Sequence, residues 1–192
     1  MRRVGKVIFT AGCLLILCSV VLLVFLQVQT KQAENRNAEI TETMELILAE
    51  RTEAAVDAGW TGDMPALELQ GDDFIALLEI PAYGLKLPVC GVWDSSEVLS
   101  YPCRFYGSAY NGTLVIGGYD QPGQFDFFDR IQDGEMITLT DMTGRQFHYA
   151  VERIERYNEV PMEVLADKET DLTLFVRDVQ YLEYIVLRCD AK

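Results

Sequence analysis

The stretch Asp171–Asp178, which reads DLTLFVRD, decides how this chain is interpreted. Its five central residues, Leu172 to Val176, are all apolar or β-branched and predict a strand that is buried on both faces. The strand runs directly into the charged pair Arg177 and Asp178. We expect these side chains to lie at the rim of a sheet, where sites are built, so position 177 is the first candidate site residue.

The charge of the chain is divided sharply along its 192 residues. Residues 1–30 contain Arg2, Arg3 and Lys6 and no acidic residue, whereas residues 31–192 contain all 30 acids against 13 Lys and Arg. An acidic surface of this kind repels nucleic acid and anionic lipid, so we expect neither as a partner. The length suits one domain of about 120 to 150 residues with an additional segment.

An uncharged run of twenty residues, Val7–Leu26, predicts a membrane anchor. As a helix it would be about 30 Å long, enough to cross a bilayer. We expect an anchor at residues 7–28 in the cell membrane, with the basic tail 1–6 in the cytoplasm and the C-terminal part outside. A cleaved signal peptide is the alternative, but no small-x-small site ends the run and the run is longer than an ordinary signal sequence.

Three further regions follow the predicted anchor. Residues 31–58 are polar and rich in Glu and Ala, and they predict a juxtamembrane helix that separates the folded domain from the bilayer. Its narrow apolar stripe has helical spacing. Residues 59–72 contain Gly, Pro and acids and are interpreted as a linker, and residues 73–192 as the folded domain. The stripe consists of Ile40, Met44, Ile47 and Leu48.

The folded domain is predicted to be mainly β, with short strands separated by turns and few helices. Such a pattern favours a closed or nearly closed β-barrel. Short helices are predicted at 95–100, with Ser95 or Ser96 as the cap, and at 161–166. A segment with three Phe, 125–131, is expected to be helical or looped. The predicted strands are 76–80, 85–89, 113–116, 136–140, 146–154, 172–176 and 184–187.

Cysteine and histidine are too few and too scattered to predict a metal site, and we expect no metal and no cofactor. Three cysteines, Cys90, Cys103 and Cys189, lie in the domain, so at least one must be free or intermolecular. Cys103 and Cys189 are interpreted as packing residues, or as a disulfide in an exterior compartment. The only histidine, His148, alternates with Phe147 and is expected to face solvent.

Five segments, in this order and spacing, resemble the sortases of Gram-positive bacteria, over residues 73–190. Sortases are membrane-anchored cysteine transpeptidases built on an eight-stranded β-barrel. They cut a sorting signal near a protein's C-terminus and join it to an amine on the cell wall or a pilin. The resemblance therefore implies this barrel and an extracytoplasmic location. The segments are Leu87–Val89, Pro102–Ser108, Gly112–Asp120, Asp171–Arg177 and Arg188–Cys189.

The resemblance also implies a catalytic set of Cys, His and Arg, and all three positions differ in this chain. The family's His position is occupied by Tyr119, at the end of Val115–Tyr119, and its Cys position by Arg177. Counting back from Arg188 places Tyr184 at the family's Arg position, or Glu183 if the turn differs by one residue. A phenol cannot shuttle protons near neutral pH as imidazole does, and a guanidinium is no nucleophile.

We therefore predict a sortase-like domain with no competent catalytic residues. The candidate residues of its peptide groove are Tyr119, Asp120, Thr173, Phe175, Arg177 and Tyr184.

Three hypotheses remain open for the function. The domain is a binding or scaffold module for a sorting-signal peptide, a pilin or an active sortase in cell-envelope or pilus assembly. Alternatively it is an active transpeptidase that uses Cys90 or Cys103 with His148. The third hypothesis is a structural domain whose groove is filled, with Arg177 paired to an acid at 120 or 178.

Overall fold

The chain forms two compact units, Met1–Arg36 and Asn37–Lys192. Helix α1 spans Arg2–Arg51. Within the described residues, no helix was found with the length and apolarity that a membrane span needs. Residues 52–58 of the predicted juxtamembrane helix lie outside the described ranges. The computed structural model describes residues 2–51, 63–159, 162–165, 169–178 and 181–192.

The second unit is built from strands, as the sequence predicts. One short helix, α2, spans Met162–Leu165, within the predicted range 161–166, whose residues 161 and 166–168 are not described. The described strands are β1 (Leu67–Leu69), β2 (Asp72–Ile80), β3 (Leu85–Cys90), β4 (Cys103–Tyr106), β5 (Leu114–Tyr119), β6 (Met136–Asp141), β7 (Gln146–Tyr157), β8 (Leu172–Arg177) and β9 (Tyr184–Ala191).

The strands form one sheet that closes on itself. The order is β1-β2-β3-β4-β5-β8-β9-β7-β6, and β2 also pairs with β6. Strands β2 to β9 therefore make a closed eight-stranded barrel, which confirms the predicted sortase-like β-barrel. Most neighbours are antiparallel, but β3 with β4 and β5 with β8 are parallel. Strand β1, which pairs with the start of β2, lies in the range interpreted as a linker, so the structure differs there from that interpretation.

The barrel interior is filled by alternate residues of the strands and by one loop. On β8, Leu172, Leu174 and Val176 are buried in the main core. The opposite face of the same strand is also buried at Thr173 and Phe175, so the strand is covered on both faces as predicted. The looped segment 125–131 contributes three buried aromatic rings to the core, those of Phe125, Phe127 and Phe128.

The second half of α1 packs on the outside of the barrel. Ile40, Met44 and Leu48 of the predicted apolar stripe are buried, and Ile47 is half-buried. They join a cluster with side chains of the barrel, which are Phe74, Leu77, Cys90, Val98, Tyr101, Cys103 and Met142. The stripe is therefore part of the folded domain, and this half of the predicted juxtamembrane helix is more than a spacer.

Hydrogen bonds at both ends of this segment fix the same contact. The Asn37 side-chain amide donates to the carbonyl of Ser100 at 2.8 Å. The Arg51 guanidinium donates to the carbonyl of Met142 at 2.6 Å.

The predicted short helix at 95–100 is a 3-10 turn, Glu97–Leu99. Ser96, one of the two predicted serines, is its N-cap residue, but the side chain that accepts hydrogen bonds at this end is that of Asp94. The Asp94 carboxylate accepts hydrogen bonds from the backbone N–H of Ser96 at 2.7 Å and of Glu97 at 3.1 Å. Ser96 makes no side-chain capping bond. A carboxylate is a stronger acceptor than a hydroxyl for these N–H groups.

Replacing Met44 with alanine should destabilise the domain, because its side chain is fully buried between α1 and the barrel. A large-to-small change in a core costs about 2–5 kcal/mol. Leu46 lies on the same helix with 66% of its surface exposed, so Leu46→Ala is a matched control with little expected effect. Urea unfolding of the full chain in detergent measures both. Equal effects of the two substitutions would contradict the packing described above.

Candidate functional site

Tyr119, Arg177 and Tyr184, which the sequence analysis assigned to the catalytic positions, lie side by side at one rim of the barrel. Tyr119 pairs with Arg177 across β5 and β8, and Arg177 pairs with Tyr184 across β8 and β9. The Arg177 guanidinium lies 5.8 Å from the centre of the Tyr184 ring. The register thus places Tyr184, and not the alternative Glu183, opposite Arg177.

The strand register also determines which side chains lie next to the rim row, which consists of Tyr119, Arg177 and Tyr184. Residues paired across neighbouring strands point to the same face of a sheet. Phe175 is paired with Gly117 on one side and with Val186 on the other. Phe175 and Val186 therefore share the outer face with Arg177 and Tyr184, and the rim row continues into an apolar surface.

Three aromatic rings build one wall of this surface. The Trp93 ring stacks on Phe175 at 5.7 Å between centres, and Phe105 meets both rings edge-on at 5.2 and 5.3 Å. Trp93 comes from the loop after β3, and Phe105 from β4. Aromatic pairs in these arrangements stabilise each other beyond the area they bury.

A cavity of about 330 Å³ opens between this wall and the rim row. Its size is at the lower end of the range of small-ligand sites. The walls are mostly apolar, with the guanidinium of Arg177 and two phenols as polar groups. Such a site suits an apolar side chain with a carbonyl or carboxylate close by. The lining residues are Trp93, Val98, Phe105, Gly118, Tyr119, Leu165, Phe175, Arg177 and Tyr184.

The glycine pair of β5 is required by rings on both sides of the sheet. A Cβ on Gly117 would overlap the rings of Phe175 and Trp93. A Cβ on Gly118 would overlap the ring of Phe125 inside the barrel. The two glycines therefore allow one strand to be covered by aromatic rings on both faces.

Thr173, a predicted groove residue, serves a different purpose below the cavity. It is buried and accepts a hydrogen bond from the Arg188 guanidinium at 3.0 Å. Arg188, only 1% exposed, also donates to Glu155 at 3.0 Å and to the carbonyl of Val164 at 2.5 Å. These three acceptors satisfy a charge that would be costly to bury alone.

The carboxylate that faces Arg188 is held in its charged form. Burial raises the pKa of Glu155, but hydrogen bonds from Arg188, Tyr157 and Arg153 outweigh burial, and the net pKa is lowered. Glu155 therefore remains ionised at the base of the site, where it balances the buried guanidinium.

Asp120, also a predicted groove residue, does not line this cavity. It follows β5 and lines a separate cavity of about 410 Å³, together with Asp126, Asp129, Arg156 and Asp178. The structure therefore brings together four of the six predicted groove residues, Tyr119, Phe175, Arg177 and Tyr184, and not Thr173 or Asp120.

Sequence reasoning missed several residues of the site. Trp93 and Phe105 form most of the aromatic wall, and Val98 and Leu165 complete the lining. A signal was present for Trp93, because a large aromatic residue between Gly91 and the turn-forming residues Asp94–Ser96 has no place in a strand.

The thiols of the domain are all buried and not bonded to one another. Burial raises the pKa of Cys189 to about 12. A hydrogen bond with Cys103, together with burial, raises the pKa of Cys90. The suggested pairing of Cys103 with Cys189 is wrong, because Cys103 lies opposite Cys90 across β3 and β4, whereas Cys189 lies on β9.

The single histidine of the chain is exposed on β7, as predicted. Its ring lies 3.3 Å from the hydroxyl of Thr138 on β6, the neighbouring strand. It is not among the residues that line the 330 Å³ cavity.

Comparison with known proteins agrees with the class of barrel that the strand order defines. The family model described as Sortase domain matches residues 78–177, which is more than half of the chain. The chain belongs to the sortase family. No curated protein matches it.

Solved structures with the same fold are sortases of low sequence identity. Sortase A from Corynebacterium diphtheriae, lid mutant, has a TM-score of 0.54 and 18% identity, over 81% of this chain and 95% of that one. The Clostridium perfringens Sortase D5 transpeptidase has a TM-score of 0.55 and 17% identity, over 79% of this chain and 99% of that one. C. perfringens sortase C, solved with the C-terminal cell wall sorting motif, has a TM-score of 0.54 and 15% identity, over 85% of this chain and 95% of that one.

Glu155→Gln should destabilise the domain by about 1–3 kcal/mol at neutral pH, because it removes the charge that faces the buried Arg188. Since the pKa of Glu155 is lowered by folding, its contribution is complete above about pH 4.5 and is lost as pH falls through the folded-state value. Urea unfolding between pH 3 and 7 should show the variant and the parent converging in acid.

Glu152→Gln is the matched control on the same strand. Glu152 is exposed, and a hydrogen bond and repulsion from Asp190 raise its pKa, so its neutralisation should leave stability unchanged or slightly higher. Equal losses for the two variants would contradict the role given to Glu155.

Proposed function

We propose that this protein is a membrane-anchored, extracytoplasmic sortase-like protein without transpeptidase activity, and that its groove binds a peptide during cell-envelope or pilus assembly. The observation that carries the proposal is the rim row, in which Arg177 stands between Tyr119 and Tyr184. Sortase chemistry needs a thiolate to attack a carbonyl, a base to move protons and a cation to stabilise the oxyanion. The positions for the first two groups hold a guanidinium and a phenol.

A relocated active site is disfavoured by the burial of the remaining thiols. Cys90, Cys103 and Cys189 are each 0% exposed, and the raised pKa of Cys90 and Cys189 keeps these two thiols protonated. A thiol reacts as the thiolate and only where substrate can reach it.

Peptide binding is supported by the cavity that remains at the rim. Its apolar wall of Trp93, Phe105 and Phe175 can accept an apolar side chain, and Arg177 at the mouth can donate hydrogen bonds to a peptide carbonyl. C. perfringens sortase C has been solved with a C-terminal sorting motif, and we extend that class of ligand to this chain.

Anchoring through residues 7–28 is supported by the sequence and by the exposure of the helix. The run Val7–Leu26 is uncharged. Within it, the large apolar side chains from Leu14 to Phe25 are 52–68% exposed, all around the helix. An apolar surface that surrounds a helix is stable in lipid and costly in water.

The full chain in detergent should bind a fluorescent sorting-signal peptide without cleaving it or transferring it to an amine. Loss of a nucleophile alone costs on the order of a million-fold in turnover. Arg177→Ala should weaken binding about tenfold through the lost charge-assisted hydrogen bond. Tyr106→Ala, at an exposed tyrosine outside the cavity, should leave affinity unchanged. Fluorescence anisotropy measures affinity, and mass spectrometry detects cleavage or an adduct.

Two results would refute the proposal. A stable acyl adduct on any cysteine of the unmodified chain would establish an active enzyme, and absence of binding to every sorting-signal peptide tested would remove the ligand class. Restoring Tyr119→His, Arg177→Cys and Tyr184→Arg together should recover a trace of turnover, whereas each single change should not.

Protease added to intact protoplasts should digest residues 60–192, because the basic residues Arg2, Arg3 and Lys6 hold the N-terminus in the cytoplasm. Immunoblotting with an antibody against the C-terminus measures the loss. An antibody against a cytoplasmic protein shows that the cells stay intact. Full protection of residues 60–192 would refute the proposed topology.

A further inference from the structure

Two cysteines occupy directly opposed positions on parallel neighbours in the barrel. Cys90 ends β3, Cys103 begins β4, and the two are register partners. The backbone N–H of Cys90 also donates to the carbonyl of Pro102 at 2.9 Å. Neighbouring strands lie about 4.7–4.9 Å apart, which is inside the Cα separation of about 4.4–6.8 Å that a disulfide requires. The two sulfur atoms lie within 4.8 Å of each other.

We propose that Cys90 and Cys103 are a modification site, where an external disulfide oxidises the two thiols to an intrachain disulfide. The proposal rests on the extracytoplasmic placement under the proposed function, since stable disulfides form in oxidising compartments.

The loop closed by this bond is the loop that forms one side of the groove. Residues 91–102 connect the two cysteines, and they include Trp93 and Val98, which line the 330 Å³ cavity. A bond at the base of the loop would limit how far Trp93 can move from Phe175. The disulfide would thereby pre-form the peptide groove and reduce the ordering that binding requires.

Burial determines when the bond forms. Both cysteines are 0% exposed and belong to the buried cluster that Ile40 and Met44 of α1 complete. No oxidant can reach the sulfurs after this cover is in place, and the raised pKa of Cys90 makes its thiolate rare. Oxidation therefore belongs to the folding reaction, before α1 packs, and the finished disulfide is protected from reductants.

The reaction is a thiol–disulfide exchange with an external disulfide, either glutathione disulfide or the disulfide of an oxidoreductase. One cysteine loses its proton, and its thiolate attacks a sulfur of the external disulfide. A mixed disulfide forms and one external thiolate leaves. The second cysteine thiolate then attacks the protein sulfur of the mixed disulfide. The bond between Cys90 and Cys103 forms, the second external thiolate leaves, and both external thiolates take up protons. The protein loses two electrons and two protons, and the external disulfide is reduced.

A metal ion is the competing occupant of these thiols. The Glu97 carboxylate lies within 4.8 Å of both sulfur atoms. Three ligands are one fewer than a closed structural zinc site uses. The direct opposition of the two cysteines in the sheet favours the disulfide.

The test refolds the full chain in detergent with a buffer of reduced and oxidised glutathione, followed by denaturation and alkylation without reductant. We expect alkylation of Cys13, Cys18 and Cys189 only, and a cross-linked peptide pair that contains Cys90 and Cys103. Mass spectrometry identifies the pair. Protein that is refolded with reduced thiols should have a Tm roughly 5–10 °C below that of the oxidised protein. A disulfide that closes a loop of the length between Cys90 and Cys103 is expected to stabilise by about this amount.

Two variants make the test specific. Cys103→Ala should abolish the cross-link and make Tm independent of reductant, whereas Cys189→Ala, at another buried thiol, should keep both properties. Alkylation of all five cysteines in the refolded parent would overturn the proposal. So would thiols that become reactive only after a chelator removes zinc, as measured by metal analysis.

The outcome is separable from that of peptide binding. A cross-link without peptide binding would refute the proposed function and leave the disulfide intact. Peptide binding without a cross-link would refute the disulfide and leave the proposed function in place.

Discussion

The parallel pairing of β5 with β8 is the constraint on which the site depends. It aligns six residue pairs in register, from Leu114 with Leu172 to Tyr119 with Arg177. Because the strands are parallel, they run to the same rim of the barrel, and their last paired residues, Tyr119 and Arg177, lie next to each other there. The antiparallel strand β9 then adds Tyr184 to the row. A shift of one residue would turn Phe175 into the barrel and Leu174 outward, so the core and the groove depend on one register.

The groove and the catalytic set are physically separable parts of this fold. The aromatic wall is held by ring contacts among Trp93, Phe105 and Phe175. On the strand of Phe175, Thr173 bonds to Arg188, which is paired with Glu155. None of these contacts involves Tyr119 or Arg177. Changes at the rim can therefore remove the chemistry and leave the wall in place.

The strands and the barrel were predictable because their residues carry local signals. The buried run Leu172–Val176 and the predicted strands 136–140 and 146–154 each follow from residue patterning. The rim row was predictable because the family's motifs fix an order along the chain. Thr173 and Asp120 lie outside the 330 Å³ cavity that their sequence neighbours line, because Thr173 bonds to Arg188 and Asp120 lines a separate cavity.

What the sequence could not reveal are contacts between distant segments. Trp93 lies in a loop and lines the cavity, and the periodicity of a sequence does not predict where a loop packs. Strand β1 is too short for an alternation pattern to appear. The opposition of Cys90 and Cys103 depends on which strands are neighbours, and this follows from topology and not from spacing.

The packing of α1 on the barrel sets the boundary at which the chain can be cut. A fragment that begins after Arg51 lacks Ile40, Met44 and Leu48, and leaves Phe74 and Leu77 facing water. Exposed apolar surface of this kind favours self-association. A soluble fragment must therefore begin near Asn37. This is thirty-six residues before residue 73, where the sequence pattern predicts the start of the folded domain. Cleavage between these two points would release a barrel whose uncovered apolar surface favours self-association.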